Sequence, residues 1–216
     1  MIAGMGVTRF KAAERFVHWL HFLAYAVLLV TGIVLYVPWL SAFTVGAAGL
    51  ASRLLHRIFA VIFMVTPVIY LIFSPSEFFE NLRLAFSWGA DDWAWFRAAW
   101  GYYARGEKGI MPEQGKFNTG QKLNGVVQVV GFFVFAITGL IMWFGKGAVP
   151  PGLYQWSVFF HDLAVIATVC LFTVHLYLVA IHPVARESIT AMVTGTVSDE
   201  YAKEHHGKWY EEVKRA

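Results

Sequence analysis

The chain has 216 residues, of which 58% are hydrophobic and only 14% charged, a charge content well below that of soluble domains. A mean hydropathy of +0.55 places it among integral membrane proteins. The net charge of +3 is spread along the chain and forms no basic cluster, which excludes a nucleic-acid partner. The single cysteine, Cys170, excludes an intramolecular disulfide framework. It falls inside an apolar run and reads as a small core residue.

The segment from Met1 to Arg15 lacks an apolar stretch followed by a small-residue cleavage site, so no cleaved signal peptide is expected. Four apolar runs then follow, each long enough to cross a bilayer, which takes about 20 residues. They cover 16–37, 54–73, 123–144 and 158–181. Breakers stand where turns are needed: Pro38 after the first run, Ser74-Pro75 after the second, Pro150-Pro151-Gly152 after the third and His182-Pro183 after the fourth. Pro67 falls inside the second run and is expected to kink it. The connection 74–122 is too long for a simple turn. Its stretches Glu77–Phe86 and Asp91–Arg105 mix charges with aromatics such as Trp93, Trp95 and Trp100. That mixture suits short helices in the headgroup region, or equally a loop docked on a soluble partner. The tail is 182–216.

Lys and Arg set the expected orientation. Arg9, Lys11 and Arg15 precede the first run. Six more, from Arg83 to Lys122, lie in the long connection, and five, from Arg186 to Arg215, in the tail. The opposite side holds only Arg53, Arg57 and Lys146. Both termini and the long connection are therefore expected in the cytoplasm. The expected fold is an all-α integral membrane four-helix bundle, one domain over 1–216.

His161 and His175 lie fourteen residues apart on the fourth run. Fourteen residues are almost four helical turns, so both face one way with roughly 21 Å of rise between them. Given the orientation, His56 shares the outer depth of His161, and His18 the inner depth of His175. Imidazoles within hydrocarbon are costly and usually functional. Two pairs at two depths fit the axial ligands of two b-type haems in the bundle core; without a Cys-x-x-Cys-His there is no c-type attachment. Each histidine taken alone fits equally well as a satisfied interhelical side chain. Gly32 and Gly139 sit near the outer level, where a missing side chain admits a flat macrocycle or simply permits helix packing. Arg15, Arg53 and Arg57 lie near the ends of the proposed stack, where propionates or headgroups are both suitable partners. His21 has no mate at its depth and reads as a second donor or as facing another helix. His182, at the cytoplasmic boundary beside Pro183, reads as a solvated helix-end histidine more than as a contact to a haem propionate or quinone. His205 and His206, in a polar tail, read as part of a docking surface more than as a metal site.

The residues Arg15-Phe16-Val17-His18-Trp19, Arg53-Leu54-Leu55-His56 and the His161/His175 spacing together resemble the gamma subunit of membrane-bound respiratory formate dehydrogenase, a di-haem cytochrome b. The most specific piece is Gly115-Lys116-Phe117-Asn118-Thr119-Gly120-Gln121-Lys122, and the Lys-Glu-His-His tail with Trp209-Tyr210 agrees. The long connection and Arg57, where relatives carry proline, depart from the pattern. The resemblance implies two haem b groups, the outer on His56/His161 and the inner on His18/His175. It also implies a menaquinone or ubiquinone site at Asn118, Gly120 and Gln121 near His175. Asn118 and Gln121 bring amide donors for a quinone carbonyl, and Gly120 permits close ring approach; Asn118 also suits a helix N-cap. The implied partners are an extracytoplasmic alpha subunit with a molybdenum or tungsten pterin, which oxidises formate, and an iron–sulfur beta subunit that feeds the outer haem. The implied location is the bacterial cytoplasmic (inner) membrane. The chain carries no pterin, iron–sulfur or formate-binding motif, so formate chemistry itself is not expected of it. Competing readings are the cytochrome b subunit of a nickel–iron hydrogenase or of another molybdopterin oxidoreductase, and a haem-free membrane anchor.

Overall fold

A computed structural model describes residues 6–215. The chain is almost entirely helical, and four of its helices are long and apolar enough to cross a membrane. They divide between two compact units, residues 12–78 and residues 6–11 with 79–215.

The first unit is a helical hairpin. Helix α1 (Ala12–Tyr36) ends at Pro38, which opens a 3-10 turn over Pro38–Phe43. Helix α2 (Gly46–Phe73) starts eight residues before the apolar run does, because Gly46, Ala47, Ala48 and Gly49 extend it without adding much hydropathy. His56 therefore lies ten residues into α2 and is not at its start. Arg53, beside it, donates to the Thr44 carbonyl at 2.9 Å and so secures the turn. The helix runs through Pro67 without a break and stops at Ser74, whose α conformation is disfavoured by the proline after it. The aromatic face between α1 and α2 includes His21 stacked on Phe63, 4.2 Å between centroids.

Helix α3 (Pro75–Phe86) begins with that proline, places Glu77 in its first turn and ends near Arg83, as the helix dipole favours. In the second unit, α4 (Ala90–Arg105) closes at Gly106, whose φ of 70° is the left-handed stop that glycine adopts without strain. Both helices fall where the aromatic and charged stretches suggested. Helix α5 (Thr119–Phe144) and helix α6 (Pro151–Leu176) form a second long hairpin. Pro151 at the first position of α6 starts that helix seven residues before its apolar run. A Cβ on Gly131 would lie 2.7 Å from Thr168 Cγ2, so this pair sets how closely α5 and α6 approach. After α6 the backbone widens into a π turn over Tyr177–Ile181 before Pro183.

The tail is ordered. Helices α7 (Arg186–Thr194), α8 (Asp199–His205) and α9 (Gly207–Arg215) follow, with Ser198 capping α8 by accepting from the Tyr201 amide at 3.1 Å. A two-residue strand β1 (Val7–Thr8) pairs antiparallel with β2 (Thr196–Val197). Val7, Ala191, Val197, Tyr201, Ala202 and Trp209 form a small core around this pairing. The long helices show the opposite pattern: Val30, Ile72, Ile137 and Ile166 are 60–66% exposed, which only a lipid or protein environment accommodates. Cys170 belongs to that exterior, not to a core as its apolar surroundings suggested: it is exposed on α6, where a small thiol needs no partner.

Candidate functional site

All four candidate ligand histidines are half-buried. On the α1–α2 hairpin, His56 Nδ1 lies 2.8 Å from Thr31 Oγ1. The same threonine oxygen is 2.7 Å from the Val27 carbonyl. On the α5–α6 hairpin, His161 Nδ1 lies 2.8 Å from Thr138 Oγ1, and that oxygen is 2.6 Å from the Val134 carbonyl. Two oxygens this close require a hydrogen between them. The hydroxyl therefore spends its single proton on the carbonyl one turn back, and the imidazole must donate Nδ1–H to the hydroxyl. Each ring is thereby held in the tautomer whose lone pair is on Nε2. His56 Nε2 has no protein partner among the described residues.

Glycines flank both rings. A Cβ built on Gly32 would stand 3.6 Å from His56 Cε1, and one on Gly139 would stand 3.7 Å from His161 Cε1. Those are ordinary contact distances, so the imidazoles alone do not demand glycine there. Phe135 adds an edge contact to His161 at 5.0 Å. His175 sits in the last turn of α6, immediately before the π turn, a distortion that recurs at functional sites. Neither of its ring nitrogens has a hydrogen-bond partner among the described residues. His18 makes an edge contact with Trp19 on α1.

The donor chemistry of these side chains fits haem iron. Imidazole is an accepted axial ligand, and a hydrogen bond from the far ring nitrogen is the usual way to orient a metal-bound histidine. Among the described residues no group of three or more His, Cys, Asp or Glu gathers as a separate metal site.

The segment before α5 is more heavily tied than its sequence suggested. Asn118 caps α5: its Oδ1 accepts from the Gln121 amide at 2.9 Å, and Gln121 Oε1 accepts from the Asn118 amide at 3.0 Å. This reciprocal capping box occupies both side-chain oxygens and leaves both NH2 groups without a protein acceptor among the described residues. The ring that approaches Gly120 in this structure belongs to Trp95, 3.1 Å from where a Cβ would stand. Thr119, fully buried, donates to Asp92 at 2.7 Å. Asp92 also accepts from the Gly89 amide at 2.8 Å and from Lys122 Nζ at 3.0 Å. Burial raises the Asp92 pKa, but the hydrogen bonds from Thr119, Lys122 and Gly89, with the Lys122 charge, outweigh it and hold the carboxyl below its usual range. Arg9, buried, donates to the Lys116 carbonyl at 2.8 Å and to Gln121 Oε1 at 3.1 Å.

Two tail histidines differ from their sequence reading. His206 is 1% exposed and donates from Nδ1 to the Gly115 carbonyl at 2.7 Å, so it is a structural peg and not part of a docking surface. Burial first, then the nearby Arg9 charge, pushes its pKa down to about 3. His205 is half-buried against Tyr201, centroids 4.3 Å apart. His182, expected to be solvated, is half-buried and in hydrogen-bond contact with the Tyr103 carbonyl through Nε2 at 3.3 Å. Thr31, Thr138 and Asp92 carry no role in the sequence reading, and Arg9 enters it only through the charge balance that sets the orientation. The repeated Thr31-Gly32 and Thr138-Gly139, each nineteen residues past the first residue of its helix, are the signal that points to the first two.

Four long apolar helices, three of them carrying imidazoles within their spans, define a class: multi-pass membrane proteins with histidines placed inside the apolar region. The profile of the prokaryotic cytochrome b561 family matches residues 9–195, and the chain belongs to that family. It is 26% identical over 97% of its length, and 94% of the relative, to the formate dehydrogenase cytochrome b556(fdo) subunit of Escherichia coli strain K12. It is 24% identical, over 97% of this chain and 93% of the relative, to the nitrate-inducible formate dehydrogenase cytochrome b556(Fdn) subunit of the same strain. The formate dehydrogenase cytochrome b556 subunit of Haemophilus influenzae is 24% identical over 95% of this chain and 83% of its own length.

Proposed function

We propose that this chain is the membrane cytochrome b subunit of a bacterial formate dehydrogenase complex, carrying electrons from an iron–sulfur subunit, which a formate-oxidising pterin subunit supplies, to a membrane quinone. His56 and His161 ligate one haem b and His18 and His175 a second. When bound, each haem supplies a one-electron iron couple. The protein's part is to present Nε2, to keep Nδ1 engaged where a threonine stands beside it, and to hold the site in an apolar span.

The observation that carries the reading is the pair of threonine-held imidazoles, His56 on Thr31 and His161 on Thr138, in a chain of the cytochrome b561 family. The near full-length similarity to formate dehydrogenase subunits supports formate as the complex's electron source. At the quinone, Asn118 and Gln121 donate through the NH2 groups left over by their capping box. The Lys and Arg distribution supports cytoplasmic termini, and with them quinone reduction on the cytoplasmic side. Negative charge carried inward then works against the membrane potential, at about 2.3 kcal/mol per charge per 100 mV.

The test is a reduced-minus-oxidised visible spectrum of the purified complex with haem quantified per chain. Two b-type haems reducible by formate are expected. Absence of b-type bands overturns the reading. Reduction by hydrogen and not by formate keeps the cytochrome and replaces its partner with a hydrogenase.

A further inference from the structure

Thr31 and Thr138 stand in the same relation to their histidines on two separate hairpins. Each is buried, 8% and 6% exposed. Each returns its proton to the carbonyl four residues back, at 2.7 and 2.6 Å, and each meets an imidazole Nδ1 at 2.8 Å. A threonine in a membrane helix is satisfied by its own backbone bond alone. A second polar contact, made twice with the same ring atom, is more than the helix requires.

We infer that Thr31 and Thr138 are positioning residues that tune the iron couple of the haem held by His56 and His161. The inference rests on those two histidines being its axial ligands. An Nδ1–H that donates to a hydroxyl oxygen gives the ring some imidazolate character, which raises the basicity of Nε2 toward iron. A more basic ligand favours the ferric over the ferrous state and lowers the potential. Because the hydroxyl proton is already committed to the carbonyl, the threonine cannot reverse roles and donate to the ring. The direction of the effect is therefore set by the backbone geometry. The same contact fixes ring rotation.

The test is a potentiometric titration of both haems in the intact complex, with Thr31→Val and Thr138→Val singly and together. Thr31→Ser and Thr138→Ser serve as conservative controls. Valine keeps the shape and removes the acceptor. The expected result is a higher midpoint potential for the His56/His161 haem only, growing in the double variant toward a tenfold change in the ferric-to-ferrous ratio at fixed potential. That ratio corresponds to about 59 mV for one electron. The serine controls keep the parent potential. Loss of this haem in the valine variants but not in the serine ones also supports the inference, since the hydroxyl then holds the ligand. An unchanged potential with both haems present overturns it, as does haem loss in valine and serine variants alike, which would assign the effect to packing. His56→Ala and His161→Ala separate the underlying reading: if neither removes a haem, the ligand assignment fails whatever the threonine variants do.

Discussion

Acidification should release the C-terminal tail from the segment that precedes α5. His206 is docked neutral, donating from Nδ1 to the Gly115 carbonyl, with its pKa lowered from 6.5 to about 3. Between those values the undocked tail binds a proton that the docked tail refuses, so lower pH favours undocking. The stabilisation is full above pH 6.5 and declines as pH falls toward 3. At pH 5 the loss is about 2 kcal/mol, roughly a thirtyfold rise in the undocked fraction. His205, whose pKa burial also lowers, acts in the same direction.

The assay is amide hydrogen exchange on the complex in lipid nanodiscs at pH 7 and pH 5, corrected for the intrinsic dependence of exchange on pH. The Lys208 amide bonded to the Gln114 carbonyl at 3.1 Å and the Tyr210 amide bonded to the His206 carbonyl at 2.9 Å are the reporters. The reasoning requires their opening free energy to fall at pH 5. It also requires His206→Asn, which keeps an N–H donor but does not titrate, to lose most of that dependence. Equal opening at both pH values in the parent protein, or the same slope in the variant, would refute it.

Other expectations follow from the same geometry. His18→Ala or His175→Ala should remove one haem from the spectrum and stop quinone reduction; formate-driven reduction at the parent rate would show that this pair is wrongly assigned. Asn118→Asp keeps the oxygen that caps α5 and removes the NH2 donor, so it should weaken quinone-site inhibitors while both haem spectra persist, whereas Asn118→Leu should in addition cost about 1 kcal/mol of cap stability in an unfolding titration. Asp92→Asn leaves Lys122 without its counter-charge and should destabilise the start of α5 by about 3 kcal/mol, read as faster proteolysis around Thr119; unchanged proteolysis would mean the Asp92 cluster is not what holds that helix. Gly131→Leu should force α5 and α6 apart at Thr168 and lower thermal stability, by about 1–3 kcal/mol if the overpacking is accommodated.

Much of this architecture is legible in the sequence because a bilayer imposes few solutions. Long apolar runs ended by Pro38, Ser74-Pro75 and Pro150-Pro151 become spans, and aromatic stretches with acidic starts become α3 and α4. The starts of α2 and α6 were less legible. Gly46 to Gly49 and Pro151 to Ser157 add turns of helix but little hydropathy, so apolarity alone begins each helix too late. The tail was misread for a different reason. A run of Lys, Glu and His reads as a docking surface, yet the fold that pairs β1 with β2 buries both His206 and Trp209. No local pattern announces a partner strand nearly 190 residues away.

The candidate histidines stand out in the sequence, but their threonine contacts do not. Histidine in an apolar run is conspicuous because it is expensive there. Threonine in the same run is not, since it returns its hydroxyl to its own helix and passes as an apolar side chain. Thr31 and Thr138 each meet an imidazole, whereas Thr168, also buried and also bonded to the carbonyl four residues back, Ala164, at 2.7 Å, packs its methyl against Gly131. One residue type in one backbone geometry thus serves helix packing in one place and imidazole orientation in two others. What decides between them is the residue across the hairpin: a histidine twenty-three to twenty-five positions on, or a glycine.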